Sequence, residues 1–139
     1  MPKDGPATVV AIVCKNMSVL VCGHTDKTQD QECEFPATRP QEGENPVSAC
    51  KRLAKDELGC RLSTTWLLHT QDCEDDGHPS TMECYVCSPL PAEEPHAQNE
   101  RLRWLNREEL AQARWTKEHE ELARMVGIYW DHLFQAEHL

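Results

Sequence analysis

The residues best suited to chemistry fall in one short run. Arg52, Asp56 and Glu57 lie within PVSACKRLAKDELG, and Glu44 stands shortly before that run. Two adjacent carboxylates suit a hard divalent cation, because Mg2+ takes oxygen ligands in an octahedral shell and completes it with water and phosphate oxygens. On a helix, Arg52 can pair with Asp56 at i+4, and Leu53 and Glu57 are neighbours at the same spacing. A divalent cation and a small phosphorylated ligand are compatible with these residue types.

The charge balance narrows the ligand. With 24 acidic and 14 basic residues, the net charge is -10, and a chain this acidic repels phosphate backbones. Long nucleic acids and anionic membranes are therefore excluded as partners, whereas a bound cation can invert the sign of a local acidic site. Other chemistries lack their signals. There is no G-x-S-x-G, no P-loop and no G-x-G-x-x-G. Cys84 and Cys87 have C-x2-C spacing, but residues three apart on a strand face opposite ways, and no second pair matches them. The seven histidines form no chelating pair, and Cys73-Glu74-Asp75-Asp76 reads as a solvated turn.

These side chains need elements to position them. Asn45 is suited to cap a helix that has Pro46 at its first position and ends at Gly59. Val47, Cys50, Ala54 and Leu58 form its apolar stripe. Before it, ATVVAIVC (Ala7 to Cys14) and MSVLVCG (Met17 to Gly23) are β-branched runs flanking a turn at Lys15-Asn16. After it, Leu62 to Thr70, Thr81 to Leu90 and Arg101 to Leu105 predict strands, with a turn-rich Asp72 to Ser80 between the first two. Asn106 can cap a short helix and Thr116 a longer one running to about Phe134, with Leu122, Met125, Val126, Tyr129, Trp130 and Leu133 as its core stripe. This order predicts one α+β domain over residues 1–139. The N-terminus lacks a secretory pattern, Val9 to Cys14 is too short to span a membrane, and eight cysteines scattered through apolar stretches read as reduced, buried thiols. A cytoplasmic protein is the expectation.

The segment Glu34 to Cys60, EFPATRPQEGENPVSACKRLAKDELGC, resembles a degenerate Nudix box, G-x5-E-x7-R-E-U-x-E-E-x-G-U with U aliphatic. Glu44, Arg52, Ala54, Glu57 and Gly59 match in register. Thr38 replaces the opening glycine, Leu53 the first helix glutamate and Asp56 the second. The flanks Glu34-Phe35-Pro36, Glu42-Gly43-Glu44 and Arg103-Trp104-Leu105 with Glu108-Glu109-Leu110 are also similar to the family, so the resemblance covers most of the chain.

The resemblance implies an α/β/α sandwich with a mixed sheet packed between helices, and a hydrolase that cuts the pyrophosphate of a nucleoside di- or triphosphate, or of a nucleoside diphosphate linked to another group, using Mg2+ or Mn2+. Asp56 and Glu57 would hold the metal. Arg52 would orient the carboxylates, Glu44 would brace the loop–helix junction, and Glu57 or Glu100 would be the base. Lys117, Glu118 and His119 are substrate-binding candidates, because the family often recognises the base near that helix start. Trp66, Trp104, Trp115 and Tyr85 could stack on a base or fill the core. Leu53 offers no oxygen, and Thr38 resists the positive φ open to glycine. These departures keep a second reading open, a catalytically inactive domain that binds a nucleotide or a protein. The homodimer common in the family is the assembly implied.

Overall fold

The computed structural model describes residues 8–23, 32–75, 77–96 and 101–134. Strand β1 (Thr8–Lys15) is the axis of the fold. Its Val9–Cys14 run is buried on both faces: Val10, Ile12 and Cys14 enter one apolar cluster, and Val9, Ala11 and Val13 the other. Each such side chain contributes roughly 1.5–3 kcal/mol through burial, which is why the run is almost uninterruptedly apolar.

A two-residue turn joins β1 to β2 (Ser18–Gly23), with Lys15 opposite Ser18. Asn16 (φ 52°) and Met17 (φ 59°) form it, so the turn lies one residue later than Lys15-Asn16. Two successive positive φ angles are the type I′ conformation, which matches the twist of a hairpin. β3 (Cys33–Glu34) and β7 (Arg101–Leu105) pair antiparallel with β2, and β4 (Ala37–Thr38) pairs antiparallel with β1. On its other side β1 runs parallel to β6 (His78–Pro89), which pairs antiparallel with β5 (Leu62–Asp75) at the sheet's edge. The β5–β6 ladder continues to Asp75 opposite His78, so most of the expected turn at Asp72 to Ser80 is strand. Backbone pairing carries polar residues there that an apolar pattern cannot flag.

Helix α1 (Pro46–Leu53) and its continuation, a π-helical turn at Ala54–Leu58, cover one face of the sheet. The other face is covered by α2 (Arg107–Gln112), α3 (Lys117–Ile128) and α4 (Trp130–Leu133), whose Leu110, Leu122, Val126, Trp130 and Leu133 share a core with β1 and β6. A mixed sheet between two helical layers is the α/β/α sandwich expected. The last helix is broken: Tyr129, at φ −96° and ψ 17°, separates α3 from α4 and is exposed, not core. Among the described residues, no helix is long and apolar enough to cross a membrane.

Candidate active site

Local chemistry fixes the start of α1 and the end of its π continuation. The Asn45 side chain accepts a hydrogen bond from the Ser48 N–H at 2.8 Å, Pro46 opens the helix, and Gly59 closes it at φ 65°. The helix end is strapped by the following segment, where the His96 N–H donates to the Leu58 carbonyl and the Glu93 carboxylate accepts from the Arg61 N–H and guanidinium.

Arg52 binds the helix to the loop before it. Its Nε and Nη2 donate to the two Glu44 oxygens at 2.8 and 3.0 Å, and Nη2 also reaches the Arg39 carbonyl at 3.0 Å and the Thr38 hydroxyl at 3.3 Å. Glu44 accepts a further bond from the Gln41 N–H. The Arg52 hydrogen bonds, then that from Gln41, hold the Glu44 carboxyl below its ordinary range. Glu44 in turn raises the Arg52 guanidinium, helped more weakly by the charges of Asp56 and Glu57. Glu44 and Arg52 are thus joined across the loop–helix junction, and the direct partner of Arg52 is Glu44 and not Asp56. A carboxylate facing the guanidinium fork takes two bonds at once, which an i+4 side chain does not match here.

Two departures from the motif have structural explanations. Thr38 lies in β4 opposite Val9, outside the positive-φ residues, and its hydroxyl accepts from Arg52. A β-branched residue suits that extended position, so no glycine-like backbone is needed. Leu53 is 1% exposed and packs in a cluster with Val9, Ala11, Ala54 and Tyr85. Glu57 is exposed, so the two are not the paired ridge that α-helical spacing implies. The π turn starting at Ala54 uses an extra residue and re-aims everything after it.

Asp56 and Glu57 are thus adjacent, solvent-exposed residues in the π turn just beyond the Arg52 anchor. Among the described residues no three His, Cys, Asp or Glu side chains converge to hold a metal. Two carboxylates still fit a Mg2+ ion that keeps water and phosphate oxygens in its shell. Glu100 lies outside the described residues.

Lys117 and Glu118 are exposed at the first turn of α3, on the sheet face opposite α1. His119 is 3% exposed, its Nδ1 accepts the Phe35 N–H at 2.9 Å, and burial pushes its imidazole down to about 4. Phe35 stacks on both His119 and Trp115. This histidine is a neutral core acceptor, turned away from any ligand at the surface; its neighbours on α3 could not reveal that in one dimension. Trp115 and Tyr85 are core, Trp104 is half-buried and Trp66 is exposed. Cys84 and Cys87 enter opposite clusters, as strand alternation required.

The structure adds polar groups that no motif marked. Among the described residues, His69 Nε2, Gln71 Oε1 and Thr116 Oγ1 are buried without hydrogen-bond partners. His69 and Gln71 sit opposite Cys84 and Met82, on the α3 face, and Gln71 Nε2 donates to the Glu118 carbonyl at 3.4 Å. Thr116, at the cap position of α3, makes no capping bond.

A family model described as the NUDIX domain matches residues 5–126. The chain belongs to the Nudix family. Its Nudix helix is α1 with the π turn, and its fold is shared by solved Nudix hydrolases. A NUDIX-family hydrolase from Clostridium perfringens aligns at TM-score 0.70 and 19% identity, over 94% of this chain and 99% of that one. A MutT NUDIX hydrolase from Burkholderia pseudomallei aligns at 0.70 and 18%, over 89% and 99%. An Ap4A hydrolase from C. elegans aligns at 0.67 and 13%, over 89% and 96%. No curated protein matches the sequence.

Proposed function

We propose that this Nudix domain is a hydrolase that cleaves the pyrophosphate of a nucleoside di- or triphosphate, or of a nucleoside diphosphate linked to another group, with water. The observation that carries this reading is the Arg52–Glu44 fork. It fixes the loop of Thr38 to Glu44 against the helix and leaves Asp56 and Glu57 exposed beside it. Mg2+ or Mn2+ bound there would neutralise phosphate charge. Segment Cys33–Thr38 runs from Thr116, whose N–H donates to the Cys33 carbonyl, to the hydroxyl that Arg52 grips. Six extended residues span at most about 20 Å, so the segment that ends on the Arg52 clamp is tied at its start to the beginning of α3. The apolar surroundings of Cys50, Cys84 and Cys87 support a cytoplasmic setting.

The burial of Leu53 favours the second reading, a domain that binds a nucleotide or a protein without cleaving it. Phosphate and pyrophosphate release across a nucleotide panel with Mg2+ or Mn2+ separates the two. Turnover that Glu57→Gln abolishes is expected; tight nucleotide binding with no turnover on any substrate refutes the hydrolase.

A further inference from the structure

Glu83 lies on β6, on the sheet face that carries the Nudix helix. Strand register sets Thr38, Val9, Glu83 and Thr70 in one row across β4, β1, β6 and β5. With neighbouring strands about 4.8 Å apart, the Glu83 backbone lies about 10 Å from Thr38, whose hydroxyl touches Arg52. The next residue on this face, Tyr85, is buried in one cluster with Leu53. Its phenol donates to Glu83 Oε1 at 2.7 Å. Glu83 itself is half-buried, and among the described residues no cation pairs with it.

A half-buried carboxylate that has one hydrogen bond and no counter-charge among the described residues costs stability. Leu53 supplies no oxygen at its point on the helix, whereas the sheet brings Glu83 beneath the same face. We propose that Glu83 accepts the proton of the attacking water, with the Tyr85 phenol holding its carboxylate in place. This rests on the hydrolase reading. In the step, one water O–H bond breaks and its proton passes to Glu83. The water oxygen bonds to phosphorus, and the P–O bond to the leaving phosphate breaks with its electron pair on the departing oxygen. Glu83 then releases the proton to solvent.

The experiment compares the wild type, Glu83→Gln, Glu83→Ala and Tyr85→Phe in turnover, KM, affinity for the Mg2+–nucleotide and urea midpoint. Glu83→Gln is expected to lower kcat by about 10²- to 10⁴-fold, the usual contribution of a positioned base, with KM and affinity within about threefold of the wild type. Formate should restore part of the Glu83→Ala turnover, which a structural role would not allow. Glu83→Gln turnover within threefold of the wild type overturns the proposal while the hydrolase reading stands, as does a loss in Glu83→Ala that formate leaves unchanged. A wild type with no turnover on any nucleotide removes both.

Discussion

Replacing Leu53 by glutamate restores the Nudix motif on paper and tests where that position points. If it faced the groove, the variant would gain a carboxylate and turn over faster. The structure predicts the opposite. Leu53 is 1% exposed, so the substitution forfeits roughly 1.5–3 kcal/mol of apolar burial and adds roughly 1–3 kcal/mol for a buried polar group without a partner. The sum, about 2.5–6 kcal/mol, is a large share of the 5–15 kcal/mol that holds a typical domain together. A buried carboxylate has its folded pKa raised above the unfolded value of about 4.3. The folded state then holds more protons between those two values, so the variant loses stability as pH rises through that window, by up to about 1.4 kcal/mol per unit. Urea unfolding at pH 5 and pH 7 reads this directly: the deficit against the wild type should be larger at pH 7. An unchanged midpoint at both pH values, together with higher turnover, would refute the placement of Leu53 in the core.

Two further outcomes follow from the same geometry. Arg52→Lys keeps the charge but loses the fork that grips Glu44, Thr38 and Arg39; kcat/KM should fall at least about tenfold and limited proteolysis between Arg39 and Gly43 should quicken, and unchanged values for both would show the clamp to be dispensable. His119 has a folded pKa of about 4, below its unfolded value, so its stabilising contribution is complete above about pH 6.5 and drains away as pH falls towards 4, by up to about 3 kcal/mol. His119→Phe should remove that slope and lower stability at pH 7 by roughly 1–3 kcal/mol, because the Phe35 N–H loses its acceptor; a variant that keeps the wild-type slope would assign the titration elsewhere.

The sequence was most legible where structure is decided locally. Asn45, Pro46 and Gly59 bound the helix by conformational preferences that act within a few residues, and Asn106 forms the capping box with Glu109. Strand β7 falls on Arg101–Leu105 as its composition suggested. The site was legible in its inventory and less so in its pairings. Arg52 chose Glu44 because the loop folds back onto the helix, a tertiary fact invisible to i, i+4 spacing. The π turn at Ala54–Leu58 shifted the phase between Leu53 and Glu57, and nothing in KRLAKDEL announces one. His119 and the orphaned atoms of His69, Gln71 and Thr116 depend on which layer packs over them.

The distribution of thiols gives this fold an internal gauge of its own opening. No disulfide joins any of the eight cysteines, and Cys14, Cys33, Cys50, Cys60, Cys84 and Cys87 are buried while Cys22 and Cys73 are partly accessible. Burial pushes the Cys84 thiol up to about 12, so few thiolates exist there to be labelled at neutral pH. The buried six are divided between the two apolar clusters, with Cys14, Cys33 and Cys84 in the one covered by α2 to α4 and Cys50, Cys60 and Cys87 in the one between the sheet and the Nudix helix. A mass count of alkylated cysteines over time, resolved by peptide, would therefore report which helical layer lifts first, with no probe introduced into the molecule.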